Sequence, residues 1–534
     1  MNLCALLYGL PSRLGRAVAA LALAGLLAAC SSLPKPATPP PASEAIPLSA
    51  ATPLGRMASA YQPDPLHSGF RLLPLGSYAL DTRVELARRA QVSLDLQYYH
   101  FEQDETGRWL LRALRDAAQR GVRVRLLIDD WYTTGQDELL QAFAAYPNVE
   151  VRIFNPFVVQ RQGGKATRFV SAVGDWKRVN HRMHNKLFIA DGAMAVFGGR
   201  NIANEYFLRS AGENFIDVDA FVVGFVVPPL QALFDRYWNS AAVVPLQTVA
   251  APAQADPAVL RQRFEEATGP ATTPPPPPLP PNDLLGYGPL REDLDDGRLG
   301  LIWAYGWVFA DHPDKPFEGE AGGELMETSV TYNLFEALGK AQTELVITSP
   351  YLVPGPDGMK MLRGLAQRQV RLVAMTNSLG ATDEPVVHLG YRRYREQLLD
   401  LGVDLYEISS TRTKDNTRHK LFGASVGRLH SKVSVVDRRY VFIGSMNLDP
   451  RSATINTELG AVVDSPQLAR EMLRIIDLDR LQSAYRVMRK PSGGLSWAGM
   501  DADGELMFDE EPEVSLWLRV KLLLLAPIVP DALL

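Results

Sequence analysis

Apolar positions along the chain switch repeatedly between two periods. Leu94–Tyr99 (L-D-L-Q-Y-Y) and Val122–Ile128 (V-R-V-R-L-L-I) place apolar residues at every second position, as a strand with a buried face requires. Between them Leu110, Leu114 and Ala117 fall at helical spacing over 106–120, and Gly121 stands where a helix ends on a left-handed residue. A helix over Glu138–Ala145 and a strand over Val149–Phe154 continue the pattern. The second half replays it as strand Leu345–Thr348, helix Asp357–Arg368, strand Val370–Met375, helix Tyr391–Leu401 closed by Gly402, and strand Val403–Ile408. A fourth strand is predicted at 184 in the first half and at 430 in the second. Strands alternating with helices of this length predict α/β lobes. The expected fold is two duplicated α/β/α lobes, each with a mixed, largely parallel sheet, related by a pseudo-twofold with the active site between them. Two copies are too few for a solenoid.

The fourth strand of each half carries one polar pattern. Residues 184–191 read H-N-K-L-F-I-A-D and residues 430–437 read H-S-K-V-S-V-V-D, so His184, Lys186 and Asp191 recur as His430, Lys432 and Asp437. Each run leads to a second matched cluster, Gly198-Gly199-Arg200-Asn201 and Gly444-Ser445-Met446-Asn447. Residues two apart on a strand face one side. Each strand therefore presents an imidazole and an ammonium together, while Asn185 or Ser431 faces away. Two such strands meeting across an axis suit phosphoryl transfer. One imidazole attacks phosphorus, the other protonates the leaving alkoxide, and ammonium and amide donors hold the nonbridging oxygens. The lysines supply the positive charge, so no metal and no cofactor is expected. His181 and His184 lack a third ligand at zinc-site spacing.

Length and composition set the frame. A chain of 534 residues exceeds one ordinary core. The net charge of −5 lacks the basic excess of a duplex-binding protein, and no nucleic-acid partner is expected. Arg13 and Arg16 precede an apolar run, Ala17–Ala29, that is too short to span a bilayer and ends in L-A-A-C-S at Cys30. This resembles a bacterial lipoprotein signal, with Cys30 as the lipid anchor. Ser31 after it points to the outer membrane of a Gram-negative envelope, facing the periplasm. Cys4 and Cys30 are the only cysteines, so the processed chain can form no internal disulfide. The expected boundaries are a signal peptide at 1–29, a Pro/Ala-rich tether at 30–54, a first lobe at 55–250, a Pro-rich linker at 251–285 and a second lobe at 286–534. Pro274–Pro278 reads as a stiff polyproline spacer separating the lobes. Val514–Val529, apolar with Trp517, Arg519 and Lys521, fits either an interfacial helix or a core helix closing the domain.

The paired H-x-K-x4-D boxes with their G-S/G-x-N clusters resemble the phospholipase D superfamily. L-D-L-Q-Y-Y, R-G-V-R-V-R-L-L-I-D-D, R-M-H-N-K, G-G-R-N-I-A-N-E-Y-F, F-D-R-Y-W-N-S, S-P-Y-L-V-P-G and N-T-E-L-G narrow the likeness to the C-type branch of bacterial cardiolipin synthases, over roughly residues 55–534. The resemblance implies a covalent phosphatidyl-histidine, with His184 as nucleophile and His430 as general acid and then base. The pseudo-symmetry leaves those two roles exchangeable. It implies phosphate binding by Lys186, Lys432, Asn201, Asn447 and Ser445, and imidazole orientation by Asp217 and Glu458. Asp191 and Asp437 complete the catalytic boxes, with a purely structural role at the turn after each strand as the alternative. Gly199 departs from the family's usual Ser and would remove a hydroxyl from the phosphate cradle. The implied substrates are phospholipids at a membrane surface, with phosphatidylglycerol as acceptor and phosphatidylethanolamine as a candidate donor. Admitting water instead would give a hydrolytic phospholipase D. His388, with Tyr391 and Arg395, is either a headgroup subsite or a structural histidine, and Asp129-Asp130 is either a turn or a site.

Overall fold

A computed structural model describes residue 33 and residues 40–525, except 61, most of 158–174, 316–327, 413–425 and 502–503. The predicted alternation is present. Strands Ser93–Tyr98, Arg123–Asp129 and Val149–Phe154 are linked by helices Glu105–Gln119 and Asp137–Ala144. Strands Glu344–Thr348, Arg371–Asn377 and Asp404–Ile408 are linked by helices Gly355–Gln367 and Pro385–Asp400. Asp104 caps the first of these helices by accepting from the Gly107 N–H. Gly121, which follows it, takes φ +96°, a conformation that favours glycine.

Within each lobe the parallel part is confined to those three strands. The rest of the sheet is antiparallel. In the first lobe Ser93–Tyr98 is followed in space by Leu187–Ala190, Met194–Gly198, Asp219–Gly224 and Ser68–Leu73. In the second, Glu344–Thr348 is followed by Val433–Val436, Tyr440–Gly444, Leu459–Asp464 and Ile302–Ala310. The two orders are identical. The last strands of the two lobes pair with each other, Ser68 opposite Ala304 and Phe70 opposite Ile302, so one sheet runs through both lobes.

The strands of the boxes read as continuous apolar runs because both their faces are buried. Phe188 and Ala190 point into the first lobe's outer core with helix Glu105–Gln119. Leu187 and Ile189 point into a core shared with Val433, Val435 and Ile443 of the second lobe. Helices Val227–Trp238 and Pro466–Ser483 contribute Phe234, Trp238, Leu468 and Met472 to that shared core. Burying a side chain of this size stabilises by about 1.5–3 kcal/mol, so the lobes are held together by the same term that folds each of them.

Two expected boundaries are corrected. The segment read as a tether to residue 54 is seated on the first lobe from Ser43 onward. The Ala45 N–H donates to Asp235 at 2.6 Å, Gln231 donates to the Ile46 carbonyl, and Arg125 donates to the Ser43 carbonyl. The Pro-rich stretch does not separate the lobes. Trp109 Nε1 donates to the Pro274 carbonyl at 2.6 Å, and the Tyr78 hydroxyl to the Pro280 carbonyl at 2.5 Å. Helix Pro257–Thr268, just before it, buries Phe264 against Phe143. Polyproline lacks backbone donors, so its carbonyls are free to accept from side chains of the face it lies on. Cys30 and the signal segment lie outside the described residues, as do residues 526–529 of the C-terminal apolar run.

Candidate active site

The site is assembled by two crossed contacts between the lobes. Met183 bridges to Thr457, and the His184 N–H donates to the Thr457 carbonyl at 2.8 Å. Across the axis Glu213–Ile216 pairs in parallel with Val426–Leu429, and the His430 N–H donates to the Ile216 carbonyl at 2.8 Å. Each box histidine thus follows a segment paired with a segment of the other lobe, and the next residue of that segment is a carboxylate. As a result His184 Nδ1 lies 2.9 Å from Glu458, and His430 Nδ1 lies 2.7 Å from Asp217. Both expected orienting carboxylates are present, but each belongs to the opposite lobe from its imidazole. With Nδ1 engaged, Nε2 is the nitrogen left for substrate.

Lys186 and Lys432 are buried and donate to the carbonyls of their own box histidines, His184 at 2.6 Å and His430 at 2.5 Å. Asn185 faces away and accepts from the Thr457 hydroxyl. Tyr99 meets the His184 ring edge-on at 5.1 Å, and Tyr206 meets His430 in the same way at 5.1 Å. Asn201 and Asn447 are both buried. Asn201 accepts from the His100 N–H and donates to the Tyr206 hydroxyl, whereas the Asn447 side-chain oxygen has no partner in the pocket.

Two expected roles are corrected. Asp191 and Asp437 do not reach the pocket. Asp191 accepts from the backbone N–H groups of Gln91, Val92 and Ser93, and Asp437 from those of Gln342, Thr343 and Glu344. Each stands five residues beyond its lysine, about 16 Å along an extended strand, and satisfies the turn that opens the neighbouring parallel strand. Both take positive φ, 52° and 53°, which Asn tolerates as well as Asp. Asp191→Asn is therefore expected to lose about 1–3 kcal/mol of stability while turnover at a permissive temperature stays within a few-fold. Thermal denaturation paired with an activity assay checks this. Ser445 is not in the phosphate cradle either, because its hydroxyl donates to Glu458 and accepts from the Leu459 N–H. Gly199, its counterpart, faces Asp217 so closely that a Cβ there would lie 2.4 Å from a carboxylate oxygen. The missing side chain makes room for Asp217 rather than weakening phosphate binding. Of the two readings of His388, Tyr391 and Arg395, their burial fits the structural one. They are buried in a network in which Arg395 pairs with Glu407 at 3.0 Å and Glu511 at 2.7 Å, and Tyr391 donates to Glu407.

The two halves differ electrostatically. Behind Asp217 lies the buried guanidinium of Arg200, which donates to the Asp217, Leu73 and Pro74 carbonyls and pairs with Asp219. Although burial opposes it, the bond to His430 and the nearby cations hold Asp217 down at about 2. Glu458 has the Ser445 hydroxyl and, further back, the Lys315–Asp311 pair at 2.8 Å. There burial wins and pushes Glu458 up to about 7. Burial with Lys186 and Lys432 nearby holds His184 well below the usual imidazole range, and burial with Lys432 holds His430 down at about 4. Burial likewise lowers both lysines, Lys432 to about 8.

A pH signature follows from Glu458. Its proton is held to higher pH in the folded state than in the unfolded chain. The stability this contributes is complete below the ordinary value of 4.5 and is lost as pH rises towards about 7, at no more than ~1.4 kcal/mol per unit. Glu458→Gln stays neutral and lacks that slope. Its melting temperature relative to wild type is expected to be higher at about pH 8 than at about pH 5 in paired melts.

Sequence reasoning missed the layer that holds the histidines. Asp129 accepts from the Met183 N–H at 2.9 Å and pairs with Arg182, while Asn377, its counterpart, accepts from the Leu429 N–H at 2.9 Å. Arg451 reaches across the lobes to Asn180 at 2.6 Å. The matched positions of Asp129 and Asn377, each closing the second strand of its repeat, were the available signal.

Known proteins resemble this chain. The family model "Cardiolipin synthase, PLD-like domain" matches residues 84–238 and 334–480, one stretch in each lobe. The chain belongs to the phospholipase D superfamily. Within it the likeness is to cardiolipin synthases. Cardiolipin synthase C of Escherichia coli K12 is 37% identical over 491 residues, which cover 89% of this chain and 98% of that protein. An uncharacterised protein of Helicobacter pylori 26695 is 30% identical over 88% of this chain and 90% of its own length. The crystal structure of phosphatidylserine synthase from Haemophilus influenzae aligns with a TM-score of 0.56 over 87% of this chain and 95% of that one, at 14% identity, and shares the fold.

Proposed function

We propose that the protein is a phosphatidyltransferase that makes cardiolipin through a phosphohistidine. The observation that carries this reading is the pair of crossed imidazole–carboxylate contacts, with two lysines, in one buried cluster. His184 Nε2 attacks phosphorus of a donor phospholipid, and the bond from phosphorus to the headgroup oxygen breaks. Protonated His430 gives its proton to that oxygen, and the headgroup alcohol leaves. His430 then takes the proton of a phosphatidylglycerol hydroxyl, whose oxygen attacks phosphorus and frees His184. Lys186, Lys432 and Asn447 face the charge developing on the nonbridging oxygens.

The unlike carboxylates separate the two roles. Ionised Asp217 favours an imidazolium at His430, and the anionic diester offsets the part of the lowering that Lys432 adds to burial. His184, lowered by burial and paired with a carboxyl whose proton is held up to about 7, starts neutral as a nucleophile must. His184 and His430 are only 8% and 6% exposed, which favours a lipid hydroxyl over water as acceptor.

The test supplies the chain, purified without residues 1–30, with vesicles of phosphatidylglycerol with and without phosphatidylethanolamine, and reads products by mass spectrometry. Cardiolipin supports the transfer reading. Phosphatidic acid alone would establish a hydrolase, and cleaved DNA without lipid product a nuclease. Cys30 is read as the lipid anchor holding the enzyme to the envelope, probed by Cys30→Ser. That variant is expected to lose incorporation of labelled fatty acid.

A further inference from the structure

The C-terminal helix Leu516–Leu525 carries an apolar face with no partner among the described residues. Leu516, Trp517, Leu523 and Leu524 are 77%, 74%, 74% and 68% exposed. At about 100° per residue these four, with Val520, form one stripe on one side of the helix. Leu522 on the opposite side is buried with Leu379 and Leu389, and Leu518 packs against them. Arg519 and Lys521 fall at the two edges of the stripe, each about 100° from its centre.

The helix is held in this pose from both ends of its approach. Glu511, just before it, is locked on Arg395 in the buried network. Glu513 accepts from the Ser410 N–H at 2.7 Å and the Tyr485 hydroxyl at 2.8 Å. Gly380 allows close approach, since a Cβ there would lie 2.9 Å from the Glu513 side chain. Gly380 belongs to the loop that ends at Asp383, which accepts from Tyr351 at 2.9 Å, and Asp383 acts on His430 and Lys432. The helix is thus fixed to the loop that carries Asp383.

The geometry points to this helix as the surface by which the enzyme docks on a lipid bilayer. It would lie in the interface with Leu516, Trp517, Val520, Leu523 and Leu524 among the acyl chains. A stripe flanked on both edges by long cations fits a bilayer. The stem of Lys521 follows the apolar face while its charge rises to the phosphates, Arg519 is paired with Glu510, and the Trp sits at the headgroup boundary. No helix among the described residues is long and apolar enough to cross a membrane, so this one lies on the surface. Nearby Arg392 and Arg519 are largely balanced by Glu510 and Glu511, so apolar insertion outweighs charge and docking persists in high salt. The choice of partner rests on the reading above that the substrate is a two-chain lipid, which must enter the pocket from the bilayer.

The test uses the full chain and vesicles of phosphatidylglycerol with brominated acyl chains, reading the tryptophan fluorescence of wild type minus that of Trp517→Phe. Bromine is expected to quench more than about half of the Trp517 signal, in low and in high salt. L516S/L523S/L524S should lose most of that quenching and turn over vesicle lipid at least ~10-fold more slowly. Its turnover of dispersed short-chain phosphatidylglycerol should stay within about twofold. Absent quenching overturns the proposal, as does a Trp517 signal that depends on protein concentration without lipid, since the stripe would then be covered by a second copy. Quenching is read without turnover. Quenching with no lipid product would defeat the transferase reading and leave the docking surface standing.

Discussion

His184→Ala is expected to lower phosphatidyl transfer by roughly 10⁴-fold or more and to leave no covalent adduct on the protein. Removing a nucleophile costs the whole covalent route, so the loss is of the size seen when a catalytic unit fails rather than when a contact is trimmed. His430→Ala is expected to be comparably inactive and yet different in kind. Its nucleophile is intact, and with a donor whose leaving group needs no proton the phosphohistidine should form and persist. Trapping with such a donor, acid quench avoided because phosphoramidates are acid-labile, and intact-protein mass spectrometry distinguish the two. An adduct on His184→Ala with none on His430→Ala would reverse the roles. Both rings sit in pre-built pockets against Tyr99 and Tyr206, so melting temperatures, measured in parallel, should show that each variant folds.

Asp217→Asn should come next in size, about 10²–10⁴-fold in turnover. The carboxylate is 2.7 Å from His430 Nδ1 and fully buried. The amide keeps the volume but removes the charge that stabilises the imidazolium. The proton donor is thereby weakened most where the leaving alcohol is most basic, so the defect should shrink with a phenolic leaving group. It should also move the alkaline limb of the pH–rate profile to lower pH, because His430 then loses its proton more readily. A defect equal for all leaving groups, with an unmoved profile, would show that Asp217 only holds the ring in place. In stability the sign is the usual one for a depressed carboxylate. The contribution of Asp217 is present above the ordinary value of 3.8 and is lost as pH falls towards about 2, a loss that Asp217→Asn should not show.

The duplication makes these variants interpretable, and it was legible in the residues themselves. Period-two and helical runs recurred in the same order, and the spacing from His184 to Asp191 recurred from His430 to Asp437. Val149–Phe154 emerged with the predicted bounds. The antiparallel part was less visible. Ser68–Leu73 and Ile302–Ala310 acquire their meaning from pairing with each other and with Asp219–Gly224 and Leu459–Asp464. Ser68–Leu73 lies more than two hundred residues from its partner, and no local period reports such a pairing. The polyproline stretch misled for a related reason. Its composition gives its stiffness, whereas Trp109 and Tyr78, far away in sequence, decide that it lies on the first lobe.

By itself the sequence pointed to a phospholipase D-type phosphatidyltransferase. Imidazole and ammonium groups on one strand face, repeated once, require a second copy to complete them, and that follows from strand geometry alone. Only the tertiary structure decided which carboxylate serves which histidine, that Asp191 and Asp437 tie strands together rather than touch substrate, and that Ser445 and Arg200 make the two halves unlike. These are matters of burial and of neighbours brought from the other lobe. A charge's behaviour depends on what surrounds it in space, and the chain carries no local record of that.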